Sequence, residues 1–480
     1  MNYSEWQAEG GFVILRRAGG HNGGVRLGLD ADRLLPIEPS TRAVARRLYE
    51  AVAEAPILSP HGHVDPRLLL EDRPFPDPVD LLVRHDHYVT RLLHASGVPR
   101  EQLGTLVDPR ETWRLFCEHW HRFAGTASGY WLTSILVELF GIDEHPDAAN
   151  ADALFATIIE RLAQPGFRPR ALLDRFRIEV LATTDDPLDD LRAHHALAAD
   201  ESFGGRVIPT FRPDAYLDPE TPDFAERIDR LGATSFTGYL DALAARRAFF
   251  IENGAVSADH GVLEPYTLDL DDDAASRLFD AALAGTIDAA GARAFRGRML
   301  LEMARMSVDD GLVMTIHAGV LRNHHRPTFE RFGPDTGHDI PVATEWVSNV
   351  RPLLERFGTD PRLHLILFTV DETTYSRELA PLAGFYPSVF LGAPWWFLDA
   401  PDAVLRFRAA TTETAGFWRG SGFVDDTRAF LSIPARHDMA RRLDAAFLAR
   451  LVGEGRLDEP SAMRVARDLV DAIPRTAWRL

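Results

Sequence analysis

The 480-residue chain contains no lysine, so all 52 of its basic residues are arginine. Without a side-chain amine there is no group for Schiff-base catalysis, and a binuclear metal centre bridged by a carbamylated lysine is excluded as well. Cysteine is nearly missing too: Cys117 stands alone, which rules out an intramolecular disulfide and a cysteine-rich zinc cage. No apolar run reaches the length that crosses a bilayer, so no membrane partner is expected. The opening MNYSEWQAEGGFVILRRAGGHNGG carries Glu5, Glu9 and one short apolar stretch, and lacks a signal-peptide layout. Residues 1–27 read as a loosely held extension, 28–480 as a single domain, and a cytoplasmic location as the simplest expectation. Positive charge is also scarce. At a net charge of −19 with no dense basic cluster, a nucleic-acid partner is not expected. An acidic ligand would need locally placed arginines. No glycine loop of the P-loop or dinucleotide kind is present, so no nucleotide cofactor is expected.

What recurs is a short apolar run that stops abruptly at polar residues, followed by a helical pattern. The runs are ILSPHGH (57–63), EVLATTDD (179–186), RVIPTFRPD (206–214), GAVSADHG (254–261), GLVMTIHAG (311–319), LHLILFTVDE (363–372), SVFLGAPWW (388–396) and GFVDDTR (422–428). Eight strand-like runs separated by helical stretches predict an α/β chain whose parallel sheet closes as a (β/α)8 TIM barrel. Loops are polar in any protein. Solvation alone, however, does not explain His-x-His, Arg-Pro-Asp, Asp-His, Ile-His and Asp-Asp-Thr-Arg all falling at run ends, where such barrels carry their active sites.

Between the first two runs, residues 79–97, 110–125 and 128–141 show apolar spacings of three and four, which predicts a helical insertion over about 66–165 on the barrel rim. Trp113, Phe116, Cys117, Trp120 and Phe123 would share one face. The loop RNHHRPTFERFGPDTGHDI, 322–340, is long and polar, and such loops are usually functional or disordered.

Residues two apart on a strand point the same way. His61 and His63 would therefore aim at one point, and imidazole nitrogen is a good zinc ligand. His85/His87 and His119/His121 have the same spacing on helical patterns, where residues two apart diverge; they make poor chelates. Asp426 and Arg428 would share a side if their run is extended, offering a carboxylate and an oxyanion-stabilising guanidinium, or only a surface ion pair. Closure of the barrel sets the eighth run beside the first, within reach of His61 and His63. Other rim groups carry less on their own. His317 ends an apolar run and could equally be a core histidine. Arg212 could clamp a carboxylate or pair with Asp214, and Asp259-His260 could be a polar pair or a loop. Trp395-Trp396 could form a sugar-stacking wall, with a core role the default, and His87-Tyr88 could reach over the barrel mouth.

Taken together, HGH (61–63), HDHY (85–88), ATTDDPLDDL (182–191), FRPDAYL (211–217), SADHG (257–261), IHAGVLRNHH (316–325), GPDTGHDI (333–340), WWF (395–397) and DDTRAFLSIPARHD (425–438) resemble the uronate isomerase (glucuronate isomerase) family of the amidohydrolase superfamily. The resemblance runs from about residue 28 to the C-terminus. It implies interconversion of D-glucuronate with D-fructuronate and of D-galacturonate with D-tagaturonate. It further implies a mononuclear divalent metal, zinc in type, on His61, His63 and Asp426, with Asp426, Arg428, Tyr88 and His61 as reacting groups. Arg212 would bind the C6 carboxylate, with His87, His317, Asp259 and Trp396 lining the substrate. The chain departs from the pattern at Ser59-Pro60 and Gly62, where many relatives carry an Asp-Tyr pair and a cysteine. That leaves the preferred sugar open. From the residues alone, two other readings stand: a metal-dependent hydrolase of a lactone or amide, and a non-catalytic sugar-binding protein. The oligomeric state is open, a homo-oligomer included.

Overall fold

A computed structural model describes residues 26–480; most of the expected N-terminal extension lies outside the described residues. Seven strands run parallel in the order of the sequence runs. The first, Ile57–Ser59, pairs with Ile178–Ala182, and that strand with Arg206–Ile208. After Pro209 the third stave resumes as Thr210–Phe211 and pairs with Ser257–Val262. This fourth strand pairs with Val313–Ala318, the fifth with Leu365–Thr369, and the sixth with Val389–Leu391. Apolar, β-branched stretches suit strands buried on both faces, and every residue of Val313–Ala318 and Leu365–Thr369 is buried.

The eighth stave differs from the extended strand its sequence predicts. Residues 420–428 form no ladder strand: Gly422 sits at φ +76 and Asp426 at φ +41, and such turns break the alternation of side chains. The segment still closes the cylinder. Ser421 N donates to Leu391 O at 2.9 Å on one side, and His63 N donates to Thr427 O at 3.1 Å on the other. The fold is a (β/α)8 barrel with one irregular stave.

The C-terminus plugs the other end of the cylinder. Trp478 is fully buried against Val313, Ile366, Phe368 and Phe390, and its indole N–H donates to Ser421 O at 3.0 Å. The helical segment after the first strand runs from Arg67–Glu71 to Pro169–Arg175, ending at Arg175 rather than near 165. Trp113, Phe116, Cys117, Trp120 and Phe123 share one core there, as their spacing predicts. Among the described residues, no helix is long and apolar enough to cross a membrane.

Candidate metal and substrate site

The polar strand ends open into one cavity of about 630 Å³. His61, His63, His87, Tyr88, Arg212, Asp259, His317, Trp396, Asp426 and Arg428 all line it. The sequence therefore named residues that come together, although not always by the geometry it invoked. The first strand ends at Ser59, so His61 and His63 stand on the loop just beyond it. That loop is held by Thr184 Oγ1, which donates to Gly62 O at 2.8 Å, and by the His63 bond to Thr427. Asp426 and Arg428 do not share a side. The left-handed turn at Asp426 sends its carboxylate to the floor of the cavity, while Arg428 reaches the rim.

On the floor, Asp426 Oδ1 lies 3.4 Å from His61 Nε2 and 2.9 Å from His63 Nε2. Neither approach has hydrogen-bond geometry, so this buried oxygen has no partner. Three lone-pair atoms converging without bonding one another is what a shared cation requires. Two imidazoles and one carboxylate suit zinc or a similar divalent ion, with a coordination position left over. Burial raises the Asp426 carboxyl, but the imidazoles of His61 and His63 outweigh it and hold it well below the carboxylate range.

A second triad, His61, Asp259 and His317, is also close enough to hold an ion, but its chemistry is worse. Asp259 Oδ1 already accepts from His317 Nδ1 and Thr315 Oγ1, each at 2.6 Å. Asp259 Oδ2 lies 3.4 Å from the Arg212 guanidinium, whose charge repels a dication. Asp259 instead orients its neighbours. The strand register sets Asp259 beside Thr315, and the period of two sends His260 the opposite way, where its Nδ1 meets Thr315 O at 2.9 Å. The His317 ring stacks on both His61, at 4.5 Å, and Phe368, at 4.1 Å. Its Nε2 is buried without a partner, free for a ligand.

Arg212 follows the third stave and is bound by two carboxylates: its Nε donates to Asp214 Oδ2 at 2.8 Å, and Asp259 lies on its far side. Burial lowers its proton affinity, but Asp214 and Asp259 more than restore it. Gly261 makes the approach possible, since a Cβ there would sit 2.7 Å from Arg212 Nη2 and 2.9 Å from Asp214 Oδ2.

At the rim, Asp86 caps the helix His87–Ala95 by accepting from the backbone N–H of Tyr88 and Val89. The cap starts the helix where His87 and Tyr88 face the cavity, while His85, before the cap, is mostly exposed and pairs with Asp80. Arg428 lies 3.3 Å from His87 Nε2 and donates to Asp335 at 2.9 Å. Burial first, and Arg428 second, push the His87 imidazole down to about 4, so it is neutral at pH 7. Of the tryptophan pair, Trp395 is core and packs edge-on against His317 at 4.7 Å. Trp396 carries the Arg322 guanidinium 4.6 Å above its ring. Asp335, Arg322, Arg436 and Asp399 were not singled out from sequence. Asp335 sits inside a turn-forming stretch, and its pairing with Arg428 bridges 93 residues of chain.

A family model described as glucuronate isomerase matches residues 39–473. The chain belongs to that family. A uronate isomerase of Rhizorhabdus wittichii is 54% identical over 95% of this chain and 99% of its own length. The crystal structure of glucuronate isomerase from Caulobacter crescentus superposes with a TM-score of 0.92 at 48% identity, covering 95% of this chain and 97% of that one. The uronate isomerase structure from Thermotoga maritima gives a TM-score of 0.89 at 27% identity, covering 94% and 99%. Membership of the family makes the chain an aldose–ketose isomerase acting on uronic acids.

Proposed function

We propose that the chain interconverts D-glucuronate with D-fructuronate and D-galacturonate with D-tagaturonate by moving a proton between C2 and C1 through an enediolate. The observation that carries this reading is the make-up of the cavity: a floor where His61, His63 and Asp426 converge closely enough to hold a cation, with the Arg212 and Arg428 guanidinium groups lining the same space. Open-chain uronates have a carboxylate at C6 and the reacting carbonyl at the other end. Arg212, kept charged by Asp214 and Asp259, pairs with the C6 carboxylate through a planar fork suited to it. This leaves the C1–C2 end near Asp426, Arg428 and Tyr88, held in one reactive orientation.

Isomerisation breaks the C2–H bond, forms a C1–H bond and moves the carbonyl from C1 to C2. Asp426 and the neutral His87 imidazole are the unprotonated groups placed to accept a proton. The Arg428 guanidinium stabilises the negative oxygens of the enediolate, and the Tyr88 hydroxyl donates to one of them. His61, His63 and Asp426 would hold a single divalent ion, zinc by the nature of the donors, supplying Lewis-acid polarisation of the sugar oxygens. His317, Asp259 and Trp396 shape the wall that keeps the chain extended.

The test is NMR of both uronates in deuterated water, with and without chelator. Stereospecific deuterium at the carbon that becomes CH2 is the expected result. Complete retention of the original hydrogen favours a hydride shift and counts against the enediolate.

A further inference from the structure

Beside Tyr88, a buried cation to which the reaction above gives no task lines the same cavity. Arg436, in the first turn of the helix Ile433–Gly453, is 1% exposed. Its Nη1 donates to Asp399 Oδ2 at 2.6 Å and its Nε donates to Ser432 Oγ at 3.0 Å. The guanidinium carbon lies 3.6 Å from the centroid of the Trp131 ring and 5.2 Å from that of Tyr88. The two rings themselves meet edge to face at 5.5 Å. Among the described residues the Tyr88 hydroxyl has no hydrogen-bond partner, so the direction of the phenol depends on what packs against its ring.

A buried ion pair is a poor choice if packing were the only need, because apolar residues of similar volume usually serve as well or better. What an arginine adds is a flat, charged surface that stacks on aromatic rings while its edge is bonded in place. Three segments meet through it. Tyr88 and Trp131 come from the helical insertion, Asp399 follows the seventh strand, and Arg436 follows the closing stave that carries Asp426 and Arg428. The insertion has no backbone pairing with the barrel at this point, and this contact registers its aromatic pair against the floor.

We propose that Arg436 is a positioning residue for Tyr88. Locked by Asp399 and Ser432 and stacked on Trp131, its guanidinium fixes the Tyr88 ring so that the hydroxyl faces the reacting end of the sugar. The inference rests on the part given to Tyr88 above.

The experiment compares Arg436→Lys, Tyr88→Phe and their combination, with melting temperature and bound metal measured for each. Lysine keeps the charge near Asp399 but loses the stacking plane. A misplacement of about 1 Å at a reacting group can cost on the order of 100-fold, so R436K is expected to lower kcat by about 10- to 100-fold. KM should stay within about threefold and metal content should not change, because no contact to the C6 carboxylate or to the floor is altered. In the Tyr88→Phe background the same change should cost less than about twofold, since nothing is left to position. A second variant, Trp131→Phe, keeps the ion pair and removes part of the stack. It should show a smaller kcat loss with the same dependence on Tyr88. Equal losses from R436K with and without the Tyr88 hydroxyl, or a kcat unchanged by R436K, overturn the proposal. Full turnover by Tyr88→Phe alone overturns instead the reading of Tyr88, and is seen before any Arg436 variant is made.

Discussion

The floor of the cavity and its rim are held by different means. His61, His63 and Asp426 take their places from main chain: the end of the first stave, the returning eighth, and the His63–Thr427 bond that joins them. Their side chains are buried, with His63 the most open at 21%. The rim is assembled from side chains on three separate segments, with Arg428 meeting Asp335 and His87. Arg428 and Asp335 are 44% and 40% exposed. Salt screens such contacts strongly and buried ones hardly at all. In the proposed reaction the cation-binding groups therefore stand on a floor fixed by main chain, while Arg428 and His87, which act on the same sugar, stand on a rim that side-chain contacts hold and that can adjust.

The largest effect tests the floor. Asp426→Asn keeps the shape but removes the carboxylate charge beside the two imidazoles, and is expected to lower turnover by at least about a hundredfold with loss of bound metal. Normal turnover and metal content would place the chemistry elsewhere. Next comes the wall that links the two regions. Arg212→Met should raise KM for uronates by about 10- to 100-fold, the worth of a charge-assisted hydrogen bond, and Gly261→Ala should move KM the same way by crowding Arg212. A rise in KM without a comparable fall in kcat is the signature of lost carboxylate binding.

The floor was far more legible in the sequence than the rim. The pair His61/His63 stood out because an apolar run leads into it, whereas His85/His87 and His119/His121 lie on helical spacing. His85 borders the cavity but is taken up by an exposed pair with Asp80 and joins no ligand cluster among the described residues. Asp426 could be added only by assuming that eight runs close into a ring, a statement of topology that local pattern supports. Its left-handed turn could not be read, since an aspartate in Val-Asp-Asp-Thr looks like strand. The Arg428–Asp335 and Arg436–Asp399 pairs depend on where separate loops cross in space. Hydrophobic periodicity reports which face is buried, but does not say which charged groups from distant segments will meet.

A third prediction sharpens the contrast through pH. Unfolded histidine takes a proton near 6.5, while His87 in the fold does so only near 4. Between those values the unfolded chain binds more protons, so stability falls as pH drops from 6.5 toward 4. His87→Gln should flatten this part of the melting-temperature profile, by up to about 1.4 kcal/mol for each unit of the shift. An unchanged slope would mean that His87 is solvated and that the rim is looser than described.

The smallest effect belongs to Asp335. Its exposed pair with Arg428 is worth no more than about 1 kcal/mol, and in the proposed reaction it must yield Arg428 to the sugar. Asp335→Asn should therefore change kcat/KM by less than about fivefold, and the change should shrink further at high salt as the remaining wild-type contact is screened. Bound metal should be untouched, because among the described residues no side-chain hydrogen bond or ion pair joins His61, His63 or Asp426 to this loop. A loss as large as that of Asp426→Asn would erase the distinction between floor and rim, since it would make an exposed side-chain contact as necessary as the buried floor carboxylate.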